Sequence, residues 1–212
     1  MCITSWNCRG LGNPTKAEAM KNLLKSESSE ILLLQKTKIE WFSLLDLGKY
    51  IWKKGVWKEV SARGTCGGLA TLWEDKKILP VSSFETQHWI YTELQHLASK
   101  TSLAIFNLYV SMLYEEKKDC WLTLSDFLEA YSPKNLILVG DFKLVLDPKE
   151  KKGGNISKDH ILPLVEDLIH DWDLLNIKPK SGLYTWSNNR AGKEHIFSRL
   201  DRFLIECTLL SK

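Results

Sequence analysis

The chain has 212 residues, 29 Lys and Arg against 26 Asp and Glu for a formal charge of +3, and 44% hydrophobic residues. That is enough for one substantial core and too mild a charge to argue nucleic-acid binding from net charge. Five scattered cysteines with no C-x-x-C spacing point to neither a disulfide framework nor a zinc site, and no stretch approaches the roughly eighteen apolar residues of a membrane span.

The N-terminal MCITSWNCRG lacks a basic lead followed by an apolar run, so no signal peptide is expected. No Pro-, Gly- or Ser-rich linker divides the chain, and residues 1–212 are expected to form a single domain. An intracellular monomer with reduced thiols is the expectation, with the nucleus as one candidate compartment and no membrane partner. The nine tryptophans are assigned to the core and its margins rather than to a base-stacking platform.

Residues 2–7, CITSWN, alternate as a first strand ending at the polar Asn7. Asn13 and Pro14 make a helix start, Asn as cap and Pro at the first helical position, with Ala17, Met20 and Leu24 on one face. Strand two, residues 30–35, carries the run Ile31, Leu32, Leu33, Leu34 and again ends in polar residues, Gln35, Lys36, Thr37 and Lys38. This β-α-β order predicts neighbouring, covered strands.

In RGTCGGLATLW, residues 63–73, Gly64, Gly67 and Gly68 precede a strand. No helix follows directly, so they indicate close backbone packing or a bulge rather than a phosphate loop. Strands at about 78–85, 88–95 and 102–109, with short polar turns, predict an antiparallel meander whose last strand places Tyr109 near its end. A helix over 115–131 follows, with Trp121, Leu124 and Leu128 on one face.

In residues 135–146, NLILVGDFKLVL, the apolar run Leu136 to Val139 predicts a strand covered on both faces. It delivers Asp141 to a sheet edge through Gly140. A carboxylate leaving a packed sheet costs desolvation and is open to two readings, a turn cap or a residue with a partner, metal or catalytic task. Residues 146–159 form a polar loop with Lys149, Lys151, Lys152 and Lys158, equally readable as solvated or phosphate-facing. A helix over 160–170 follows, with Pro163 in its first turn. Residues 182–190 and 197–207 complete the chain as a strand, a polar excursion and another strand. Asp201, flanked by Arg199 and Arg202, is open to reading as a structural ion pair or an oriented functional carboxylate.

Asn7, the Gln35-Lys36-Thr37 segment, Tyr109, Asp141, Thr185 and Asp201 thus fall at or near strand ends, the way a metal-assisted phosphodiesterase site is assembled from distant segments. Seven segments in order, SWNCRGLGN, ILLLQKTK, RGTCGGLATLW, NLYV, LVGDFKLVLDPKEKKGG, YTWSN and SRLDRFLI, resemble the endonuclease/exonuclease/phosphatase superfamily. Within it they resemble the apurinic-endonuclease-like domain of plant LINE-type (non-LTR) retrotransposons.

The resemblance implies an α/β fold, a four-layer sandwich of two packed mixed or antiparallel sheets flanked by helices. It implies Mg²⁺-dependent hydrolysis of DNA or other phosphodiesters. Residue by residue, it assigns Asn7 to the metal and phosphate environment, Tyr109 to the side of the phosphate, and Asp141 to the orientation or deprotonation of water. Thr185 matches the Thr before Trp, and Asp201 matches the Asp that orients a catalytic His.

Three positions depart from the pattern. Lys36 stands where the resemblance expects the Glu that anchors Mg²⁺, and an ammonium offers a metal no lone pair and repels it. No metal ligand is therefore assigned. Lys143 replaces the Asn of G-D-F-N, either meeting phosphate as a point charge or clamping Asp141 in an ion pair. The S-D-H motif expected after SRLDRFLI is absent, so a C-terminally truncated domain is expected. None of His88, His96, His160, His170 and His195 lies in a matching context. The expectation is an endonuclease-like domain with weak or lost activity. The alternatives are a non-catalytic nucleic-acid or phosphate binder using Lys36, Lys143 and the 149–152 cluster, and a retroelement relic without selected function.

Overall fold

The computed structural model describes residues 1–39, 48–52, 55–62, 67–155 and 159–211. These divide into two compact units, Met1–Tyr109 with Leu138–Gly140, and Val110–Ile137 with Asp141–Lys212. The strands form an α/β sandwich with a four-stranded sheet, in the order β1 (Ile3–Asn7), β2 (Ile31–Gln35), β4 (Leu69–Glu74), β3 (Gly55–Val60), and a six-stranded one, in the order β10 (Leu174–Asn176), β13 (Asp201–Glu206), β8 (Leu136–Asp141), β7 (Ser102–Tyr109), β6 (Trp89–His96), β5 (Ile78–Glu85). No helix among the described residues is long and apolar enough to cross a membrane.

In the first unit, β1 (Ile3–Asn7) and β2 (Ile31–Gln35) pair in parallel, joined by helix α1 (Pro14–Ser26), as the β-α-β pattern requires. Asn13 caps α1 by accepting from Thr15 N at 2.9 Å, Pro14 opens it, and Ala17, Met20 and Leu24 are its buried positions. Every residue of β2 is buried, which explains the unbroken apolar run. β4 (Leu69–Glu74) pairs antiparallel with β2 and with β3 (Gly55–Val60).

β3 was not anticipated, because GVWKEV is an edge strand of mixed exposure with no continuous apolar run. Strands β5 (Ile78–Glu85), β6 (Trp89–His96) and β7 (Ser102–Tyr109) form the expected antiparallel meander. Trp73 and Trp89 are core residues of this unit. Burial pushes the Cys8 thiol up to about 12, so it is an inert core group.

In the second unit, helix α2 (Tyr114–Tyr131) buries Trp121, Leu124 and Leu128 as expected, together with Lys117, Cys120 and Phe127. β8 (Leu136–Asp141) is buried throughout, and its residues 138–140 count with the first unit. The segment expected as a polar loop after β8 is more structured than that. It holds a 3-10 turn at Pro148–Glu150 closed by a reciprocal Asp147/Glu150 capping box, then β9 (Lys151–Lys152). Lys158 lies outside the described residues, as do Gly64 and Cys66.

Helix α3 (Leu162–Asp171) follows, with Pro163 in its first turn and Val165 and Leu168 buried. Near the C-terminus are β10 (Leu174–Asn176), β11 (Trp186–Ser187), β12 (Phe197–Ser198) and β13 (Asp201–Glu206). The strand expected over 182–190 is thus confined to two residues, and the one expected over 197–207 breaks at Arg199 and Leu200. Asp201 opens β13 instead of interrupting a strand. The cause is Arg199, whose buried guanidinium and backbone N–H are both engaged by Glu150.

Candidate active site

On the first unit, Asn7 closes β1 directly beside Gln35, which closes β2. Gln35 is fully buried, and its side-chain amide donates to Asn107 Oδ1 at 2.7 Å and to Ser5 Oγ at 3.1 Å. Asn107, equally buried, donates to Leu34 O at 3.2 Å and Ala70 O at 2.9 Å. This polar knot ties β1, β2, β4 and β7 together beneath the strand ends. Groups so deeply buried are tolerated because they are hydrogen-bonded.

Gly68 accounts for the backbone behind it. At φ +88°, it sits where a Cβ would come within 2.2 Å of Thr37 Oγ1, and its carbonyl accepts from Thr37 N at 3.1 Å. Gly68 thus serves close backbone approach, as the absence of a following helix implied, whereas Gly67, at φ +75°, has open space where a Cβ would stand. Lys36 follows in the left-handed region at φ +55°, with its ammonium 5.9 Å from the ring centroid of Tyr109, the last residue of β7. That is the outer limit of cation–π attraction.

On the second unit, Asp141 is fully buried at the end of β8, and its backbone carbonyl accepts from Val110 N at 3.0 Å. Its carboxylate is ion-paired with the ammonium of Lys143, whose side chain is 9% exposed. Of the two readings open for Lys143, the ion-pair clamp is the observed one. Lys143 also adopts a left-handed backbone at φ +49°. Asn enters that region more readily than Lys, so the position is conformationally suited to the residue the resemblance expected there.

The loop around Lys143 is held on both sides. Phe142 N donates to Leu200 O at 2.9 Å, while Lys117 Nζ donates to Lys143 O at 3.1 Å and to Asp159 Oδ2 at 2.6 Å. Thr185 and Asp201 are brought together through the backbone. Thr185 Oγ1 accepts from both Leu200 N and Asp201 N at 3.0 Å. His195 is stacked on Phe197 at 3.9 Å and hydrogen-bonded through Nε2 to Ser187 Oγ at 2.8 Å.

Arg199 and Arg202, expected as the charged flanks of Asp201, send their guanidiniums to a different carboxylate. Arg199 Nη1 meets Glu150 Oε1 at 2.9 Å and Arg202 Nη2 meets Glu150 Oε2 at 2.6 Å, with all three side chains at most 5% exposed. Burial pushes the Glu150 carboxyl up. The hydrogen bond from Arg202 and the charges of both arginines outweigh this and hold it below its ordinary range.

Asn7, Lys36 and Tyr109 therefore belong to the first unit, and Asp141, Lys143, Thr185 and Asp201 to the second. Sequence reasoning missed Asn107, Glu150 and Lys117. Asn107 had a legible signal, a lone amide inside the apolar strand SLAIFNLY. Glu150 and Lys117 lie among exposed charges, and only tertiary structure distinguishes them.

These residues do not fit a Mg²⁺ ion. The carboxylate of Asp141 receives an ammonium, and Lys36 occupies the position where an anchoring Glu was expected. Among the described residues no three His, Cys, Asp or Glu side chains gather as a ligand set.

The architecture is the fold of the endonuclease/exonuclease/phosphatase superfamily. The AP endonuclease LMAP from Leishmania major superposes with a TM-score of 0.77 at 14% identity, covering 98% of this chain and 79% of that one. An AP endonuclease from Archaeoglobus fulgidus gives 0.76 at 16% identity, with coverages of 100% and 89%. The endonuclease domain of TRAS1, a telomere-specific non-LTR retrotransposon, gives 0.70 at 15% identity, with coverages of 99% and 86%. At these identities the likeness establishes the fold. No family model matches the sequence, and no curated protein matches it.

Proposed function

We propose that this chain is a DNA-directed domain built on a phosphodiester-hydrolase fold whose metal-dependent cleavage is disabled. The observation that carries the reading is the buried Asp141, whose carboxylate is bound to the Lys143 ammonium. A carboxylate that must orient or deprotonate water has to offer its lone pairs to that water. An ammonium two residues away in the chain occupies its Oδ2. Lys36 adds a second obstacle, a cation where the resemblance expects the anion that would hold a divalent metal.

Supercoiled plasmid incubated with the protein and Mg²⁺ or Mn²⁺ tests this. The expected outcome is no nicking above that of Asp141→Ala. Metal-dependent nicking abolished by Asp141→Ala refutes the reading.

The position of the Lys36 ammonium at the end of β2, 5.9 Å from the Tyr109 ring centroid, favours a second reading, non-catalytic recognition of phosphates by cations at the strand ends. Binding of duplex DNA that weakens steeply with salt, and less steeply in Lys36→Ala, supports it. Salt-insensitive or absent binding excludes it.

A further inference from the structure

We propose that the outer face of helix α2 is a docking surface for a cationic, amphipathic segment of another polypeptide. The surface lies in the second unit and is independent of the reading of Asp141. Its anchor is an apolar corner where the helix begins. Met112 is 73% exposed, Leu113 64% and Tyr114 47%, three consecutive apolar residues left in water. Leu113 is also the N-cap of α2 and makes no side-chain hydrogen bond there, in a position that Ser, Thr, Asp or Asn would fill with a stabilising cap. Ile161 likewise leaves α3 without a side-chain cap, but it is 3% exposed and serves the core instead. Leu113 does neither.

A charged stripe runs on from that corner. Glu115, Asp119, Leu122, Asp126 and Glu129 follow one another in alternate steps of four and three, so they lie along one side of the helix, away from the buried Trp121, Leu124 and Leu128, and all five are exposed. Glu115 suits the N-terminal end of the helix dipole, but as a like charge one turn from Asp119 it is repelled. Asp126 and Glu129 lie toward the C-terminal end, where the dipole favours cations, and the last turn holds no basic residue.

Among the described residues the one ion pair made by α2 joins the buried Lys117 to Asp159, and Lys118 is the helix's lone exposed cation. The chain as a whole carries +3, so this row of carboxylates reverses its charge locally. The arrangement weakens the helix that carries it. A partner with cations at helical spacing and an apolar anchor neutralises the row and covers the corner together. The same carboxylates repel phosphates, which sets this face apart from any nucleic-acid interface.

Fluorescence anisotropy with the full chain and a labelled amphipathic Lys/Leu helical peptide tests the proposal, beside one peptide with Ser for every Leu and one with Glu for every Lys. Expected is binding of the Lys/Leu peptide that weakens about tenfold or more in Leu113→Ser/Leu122→Ser, in Asp119→Asn/Asp126→Asn/Glu129→Gln, and with either control peptide. Glu166→Gln/Asp167→Asn, which neutralises two exposed carboxylates of α3, should leave it unchanged. The triple α2 variant should melt no lower than the wild type, because its acids oppose one another and the dipole.

No binding of the Lys/Leu peptide by the wild type, or an equal loss in the α3 variant, overturns the proposal. A lowered Tm in the triple variant assigns the stripe to the fold and also overturns it. Sedimentation that shows wild-type self-association abolished by the α2 variants makes a second copy the occupant and overturns it as well.

Discussion

Replacing Glu150 by Gln removes a carboxylate shared by two buried guanidiniums. The wild-type contacts are charge-assisted, at 2.9 Å to Arg199 and 2.6 Å to Arg202, with side chains 5%, 2% and 0% exposed for Glu150, Arg199 and Arg202. Breaking a buried pair by deleting one partner costs about 3–5 kcal/mol. That is a large share of the roughly 5–15 kcal/mol by which a folded protein is stable. For a chain of this size, about 2–4 °C of Tm goes with each kcal/mol, so a fall of about 6–20 °C is expected.

The pH dependence follows from the lowered Glu150 carboxyl. A depressed folded value means that the stabilisation is complete above the unfolded carboxyl value of about 4.3. It is lost as pH falls through the lower folded value. Urea melts of wild type and Glu150→Gln from pH 7 down to pH 3 should therefore show a gap that is constant at near-neutral pH and narrows in acid. A gap under about 1 kcal/mol at pH 7, or one unchanged at pH 3, would refute the reasoning, since a deleted buried pair should cost several times that.

Asn107→Leu strips the donors from Leu34 O and Ala70 O and the acceptor from Gln35, all deep in the first unit. A loss of about 2–4 kcal/mol is expected in chemical denaturation, summed from unsatisfied groups worth about 1–3 kcal/mol each with partial relaxation. A near-neutral Leu variant would contradict the role of the polar knot. Gly140→Ala places a Cβ 2.0 Å from Leu108 O at φ +143°. Neither the space nor the backbone angle admits it, so loss of soluble folded protein or a destabilisation above about 3 kcal/mol is expected. Circular dichroism melts check this.

Much of the fold was legible because its signals are local. The Asn13-Pro14 start, the β-α-β order and the continuous apolar runs of β2 and β8 each follow from covered strands or a capped helix, and the meander follows from its spacing. Edge strand β3 had no such run, and the short β11 and β12 are set by pairing with each other and with β9, not by propensity.

At the site, the positions of Asn7, Tyr109 and Asp141 at strand ends could be read directly. The partner of Arg199 and Arg202 could not. Asp201 is adjacent in sequence, whereas Glu150 lies 49 and 52 residues away and is brought in by the fold. Sequence left Lys143 with two roles, and burial of Asp141 selected the ion pair, because a carboxylate out of water takes the nearest cation.

Single-turnover cleavage, with the protein in excess over end-labelled duplex DNA in Mg²⁺ or Mn²⁺, tests most directly whether Asp141 works as a catalytic group. The wild-type rate should equal that of Asp141→Ala and of a protein-free control with either metal. A metal-dependent wild-type rate that falls a hundredfold or more in Asp141→Ala would show that Lys143 releases the carboxylate for catalysis and would contradict the proposed loss of function.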